Sequence, residues 1–212
     1  MSTGIKTPAS YPEQAQSLVE VCHFLGARQW APATAGNFSA RIDANHCLVT
    51  QSGCDKAKLT LDELMVCDLH NLALDPSLQA SAELALHTRL YRLDSAIGAV
   101  LHTHSVTSTV LSRAIEGDLL LQGFEMQKAL RGNQSHEPVI TLSVFDNHQD
   151  MSALADVVEA RWSQGLITQP GFLLRGHGLY AWGKDVREAK RHIEAFEFLF
   201  ACAWQEKLLE RS

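Results

Sequence analysis

The chain has no basic block and no positive excess. Its 18 Lys and Arg stand against 24 Asp and Glu, a formal charge of −6 over 212 residues. That argues against a nucleic-acid binder, which carries a basic face, although one local cluster of donors would suffice to hold a phosphate. No run approaches the roughly 18 to 20 apolar residues of a membrane span. The residues before Tyr11 lack the apolar stretch of a signal peptide. Five cysteines (Cys22, Cys47, Cys54, Cys67 and Cys202) make an odd number with no CxxC spacing, so neither a disulfide framework nor a thiolate zinc ribbon is expected. Repeats, low-complexity segments and domain boundaries are all missing. The expectation is one domain over residues 1–212, cytoplasmic, with no membrane or nucleic-acid partner and enough length for a substantial core.

What the chain does have is histidine, ten in all, and two of them close an apolar run: Ala99-Val100-Leu101-His102-Thr103-His104. Side chains at i and i+2 of a strand share a face, so the two imidazoles can converge on one ion. Chance alone supplies about half an HxH pair in a chain this rich in histidine, so the spacing needs context. The context is a second apolar run, Gly171-Phe172-Leu173-Leu174, leading into Arg175-Gly176-His177-Gly178. Glycines on both sides of a histidine permit close backbone approach and unusual dihedrals. A third imidazole from there would leave one open position on a tetrahedral ion, the pattern of a catalytic zinc.

Periodicity outlines the elements around these runs. Leu18, Val21, Cys22 and Leu25 form the apolar stripe of a helix from Pro12 to Arg28. Thr34 to Arg41 turns into a strand, with a hairpin partner over Cys47 to Thr50 and a further strand over Met65 to Asp68. Thr60 to Glu63 has capping-box spacing. Ser81 is expected to cap a helix reaching about Arg92, and Ser105 one reaching Arg113. A short strand over Leu119 to Leu121, a short helix over Gly123 to Leu130 and an unbroken strand from Pro138 to Val144 follow. Asp150 opens a helix through Gln164 with Leu154, Val157, Val158 and Trp162 inward, and Asp185 opens the closing helix, whose apolar face runs from Val186 to Leu208. Hairpin-length links favour an α/β fold whose mixed or antiparallel sheet is covered by helices over a doubly wound parallel one.

Two carboxylates compete as general acid/base: Glu83 in the helix before the histidine strand, and Glu125 about 20 residues after it. Either could move a proton beside a metal-polarised carbonyl. The turns Gly36-Asn37 and Ser52-Gly53 could gather backbone amides around an anion, and Ser81 at a helix start could add to them. Lys56 and Lys58 are expected to be solvated, Cys54 to be a small apolar filler, and the other seven histidines carry no pattern.

Taken in order, Thr34-Ala35-Gly36-Asn37-Phe38-Ser39, Thr50-Gln51-Ser52-Gly53, Ser81-Ala82-Glu83, His102-Thr103-His104 and Gly176-His177-Gly178 resemble the class II aldolase/epimerase superfamily. The resemblance spans about residues 12 to 208. It implies a three-layer α/β/α (α+β) domain around a central, largely antiparallel sheet and one Zn2+ per subunit on His102, His104 and His177. It also implies a phosphate pocket near Asn37, Ser52, Gly53 and Ser81, and a homo-oligomer, commonly a tetramer, with sites at subunit interfaces. Ser52-Gly53-Cys54-Asp55-Lys56, Met65-Val66-Cys67-Asp68-Leu69 and Gly123-Phe124-Glu125-Met126-Gln127-Lys128 narrow it to a branch that dehydrates a phosphorylated ketose. In that branch the glutamate matching Glu125 is the acid/base, whereas in the aldolases the one matching Glu83 does that work.

Overall fold

The computed structural model describes residues 6–210, so only the second half of the segment before Tyr11 is covered. The chain builds a seven-stranded sheet in the order β3-β2-β1-β4-β9-β8-β7. Its strands are β1 (Asn37–Arg41), β2 (His46–Thr50), β3 (Leu64–Asp68), β4 (Ala99–Thr103), β7 (Val144–Phe145), β8 (Gly171–Leu174) and β9 (Gly178–Gly183). Every pairing is antiparallel except β7 with β8. A separate ribbon joins β5 (Leu119–Leu121) to β6 (Ile140–Leu142).

Alternation along the strands sorts the core into two layers. On one face, Ala99 and Leu101 of β4 join Phe38, Leu173 and Ala181 beneath α1 (Pro12–Ala27), α3 (Val106–Ala114) and α5 (Val186–Leu209). On the other, Val100 joins Phe172, Tyr180 and Trp182 beneath α2 (Leu84–Leu93) and α4 (Met151–Ser163). His102 follows Val100 by two residues and so belongs to the α2 side. Among the described residues, no helix is long and apolar enough to cross a membrane.

Four expectations are corrected. The helix after Ser81 starts at Leu84: the amides of Leu84, Ala85 and Leu86 bond the carbonyls three residues back, a tighter turn that precedes the α-helix. The segment from Gly123 to Leu130 is likewise a 3₁₀ turn, over Glu125–Ala129. The strand from Pro138 to Val144 breaks at Ser143, because Ile140–Leu142 pairs with β5 while Val144–Phe145 pairs with β8. Val157 and Leu208 are exposed. Val157 lies roughly 110° around α4 from the centre of the stripe of Leu154, Ala155 and Val158, and Leu208 sits at the end of a 24-residue helix whose buried part stops at Phe200.

Candidate metal centre

The edge where β4 ends gathers three imidazoles and one carboxylate. One ligand atom each from Glu83, His102, His104 and His177 lies within 4.8 Å of all the others. His102 lies near the end of an all-buried strand, and its ring stacks on Tyr180 of β9 at 3.9 Å between centroids. Tyr180 is its register partner, so cross-strand pairing fixes the ring plane. His177 sits in the loop between β8 and β9, where Gly176 takes φ +67°. At Gly178 a Cβ would stand 2.0 Å from the Thr103 carbonyl oxygen. Only glycine lets β9 start this close to β4. Thr109 of α3 donates to the His177 carbonyl at 3.1 Å.

Hydrogen bonds assign the ring nitrogens. His102 Nδ1 lies 3.0 Å from the Leu179 carbonyl oxygen, which only accepts, so the proton sits on Nδ1 and Nε2 keeps its lone pair. His177 Nδ1 meets Asn147 Oδ1 at 3.1 Å, which presents its Nε2 in the same way. The two Nε2 atoms face each other at 3.2 Å, and His104 Nε2 is buried with no partner. Lone pairs aimed at one point repel unless a cation lies between them. Two nitrogens at the usual zinc–nitrogen length, about 2.0–2.1 Å, and the tetrahedral angle stand roughly 3.3 Å apart. The donor set fits a divalent metal.

Electrostatics agree with that fit. Burial, then the neighbouring His177, push His104 down to about 4, and burial pushes His102 well below its ordinary value. Both imidazoles are neutral at physiological pH, the form that ligates. Burial opposes the charge on Glu83, but the imidazoles around it, His177 first, outweigh that and lower the carboxyl pKa. Glu83 Oε1 lies 3.0 Å from His177 Nε2 and 3.7 Å from His102 Nε2. Asn37 donates to the same carboxylate through Nδ2, and the Glu83 amide donates to Ser81 Oγ at 3.3 Å.

The remaining candidates divide. Asn37 and Ser81 converge on Glu83, while Ser52 and Gly53 are exposed in the turn after β2. Glu125 does not join the cluster: its side chain is 68% exposed, with Lys128 and His136 as ion-pair partners. Lys56 is buried rather than solvated. Tyr180 and Asn147 join the site without having stood out in the sequence. Tyr180 was readable once β9 was paired with β4, because it falls opposite His102; Asn147 has no local signal, since only the loop after β7 carries it to His177.

A profile of the family described as Class II Aldolase and Adducin N-terminal domain matches residues 16–204. The chain belongs to this class II aldolase family. Among curated relatives, methylthioribulose-1-phosphate dehydratase of Serratia proteamaculans is 49% identical over 93% of this chain and 97% of its own. The same-named protein of Marinobacter nauticus is 50% identical over 95% and 97%. The class II aldolase fold also appears in the solved l-fuculose-1-phosphate aldolase of Thermus thermophilus, with a TM-score of 0.76 at 24% identity over 95% of this chain and 97% of that one. YgbL of Escherichia coli, titled a putative aldolase/epimerase/decarboxylase, superposes with a TM-score of 0.76 at 20% identity over 91% and 88%.

Proposed function

We propose that this protein is a zinc-dependent hydro-lyase that converts 5-methylthioribulose 1-phosphate to 2,3-diketo-5-methylthiopentyl 1-phosphate and water, a step of methionine salvage. The observation that carries it is the near end-to-end identity of about one half to relatives bearing that activity as their name. His102, His104 and His177 hold the metal, with Glu83 beside them. When bound, the metal supplies Lewis-acid polarisation of the substrate C2 carbonyl. Asn37, Ser52, Gly53 and Ser81 bind the phosphate end.

Glu125 takes the proton from C3 and returns it to the departing C4 hydroxyl; the enol left behind tautomerises to the diketone. A base in that role must reach its proton directly or through one water, and Glu125 lies on the surface of its own subunit, outside the cluster. It therefore serves the cluster of a neighbouring subunit in a homo-oligomer, a tetramer in this reading. Exposed Met126, Leu120 and Val139 lie near it in the chain, apolar surface suited to such a contact. The five cysteines are free, in keeping with a cytoplasmic location.

One observation favours a second reading. Glu83 is the carboxylate at the histidines, so a retro-aldol cleavage of C3–C4 with Glu83 as acid/base is the competitor. The mass of the product from the zinc-loaded protein decides. Loss of one water, abolished by chelator and by Glu125→Gln, supports dehydration. Two smaller fragments, abolished by Glu83→Gln, overturn it.

A further inference from the structure

Lys56 opens a 3₁₀ turn (Lys56–Lys58) that packs against α1 so closely that a Cβ on Gly26 would meet the Ala57 backbone at 2.6 Å. That packing turns the side chain inward, and Lys56 is 1% exposed. Its Nζ donates to the Thr34 carbonyl at 3.2 Å and to the Cys54 carbonyl at 2.9 Å. Among the described residues no carboxylate is in ion-pair contact with it; its neighbour Asp55 caps the turn through Ala57. A buried ammonium whose hydrogen-bond partners are two carbonyls has no carboxylate in contact, Glu63 and Asp55 acting on it only from farther away, and such a charge is costly unless an anion approaches.

The two carbonyls belong to turns that matter. Ala33 and Thr34 both take left-handed backbone angles, φ +50° and +65°, and a β-branched residue there is strained. Strain of this kind persists only where surrounding contacts over-determine it, and it clusters at ligand clamps. The strained turn runs directly into Asn37, whose Oδ1 is buried with no partner. The other turn carries Ser52 and Gly53 to the surface. Gly36 in the Thr34 turn stands so close to β4 that a Cβ on it would meet the His102 carbonyl oxygen at 2.7 Å, so the turn that Lys56 holds lies against the histidine strand.

We infer that Lys56 is a positioning residue for the substrate phosphate: it clamps the 33–36 and 52–54 turns together and sets a buried positive charge with no carboxylate in contact behind them. The inference rests on the proposed function for the identity of the anion. It assigns Lys56 no proton transfer.

The test uses the zinc-loaded full chain with inorganic phosphate as probe, measured by calorimetry, beside KM and kcat. Lys56→Met keeps the length and apolar stem without charge or donors. It is expected to weaken phosphate binding about 10-fold or more and raise KM alike, a loss of the size typical of charged hydrogen bonds, with kcat and zinc content near wild type. Lys56→Arg restores the charge and recovers most of the affinity. Should Lys56→Met not fold, Lys56→Gln carries the same expectation. Unchanged phosphate affinity in a folded uncharged variant, or a wild type that binds no phosphate, overturns the inference. A wild type that binds phosphate through Lys56 yet releases no water overturns the proposed function alone.

Discussion

His104 and Glu197 show how one strand sets opposite demands on two titratable residues. His104 faces the cluster and is held neutral. Glu197, on α5, is buried against the same strand, 3.5 Å from Thr103 Oγ1. Burial raises its pKa to about 7, against hydrogen bonds from Ser105 and Thr103 that lower it. The folded protein therefore binds a proton there more tightly than the unfolded chain, whose glutamates titrate near 4.3. The stability this contributes is complete below the unfolded value, falls as pH rises, and is gone above about 7. The loss is on the order of 3 kcal/mol. Urea unfolding at pH 5 and pH 8 checks it: Glu197→Gln should show a flatter pH dependence than wild type, and parallel curves would refute the assignment.

At the scale of elements, the centre depends on two strands meeting at one height. β4 leads into the histidine pair, and β9 begins at Gly178, where the two backbones nearly touch. Gly178→Ala should force them apart, at a cost of about 1–3 kcal/mol, as overpacking usually brings. Because Tyr180 and Leu179 hold the His102 ring, metal content should fall with it. Metal analysis together with the unfolding midpoint reads both effects, and a variant normal in both would remove this account. The beginning of α2 has a matching role. Its preceding tight turn, rather than a simple serine cap, swings Glu83 onto the histidines.

For the whole molecule, the chain presents the histidines and an exposed Glu125 at different places. Mixing Glu125→Gln subunits with His104→Ala subunits tests whether they meet between copies. Each variant alone should be inactive. An equal, exchanged mixture should recover about a quarter of wild-type turnover, the share of sites pairing an intact cluster with an intact carboxylate. No recovery after confirmed exchange would mean that Glu125 does not serve a neighbour's cluster.

The sequence by itself determined the layers and the histidines. Alternation over Ala99 to His104 put both imidazoles on one face, and the helical stripes of Leu18 to Leu25 and Ala189 to Phe200 marked what covers the sheet. These features are periodic, so neighbouring residues report them. Only the tertiary structure decided which carboxylate stands at the cluster, that Lys56 points inward, and that Asn147 and Tyr180 orient the rings. Those facts depend on contacts between segments far apart in the chain. A lysine in a polar turn looks solvated until α1 closes over the turn, and a glutamate in a capping turn looks local until the fold brings His177 to 3.0 Å from it.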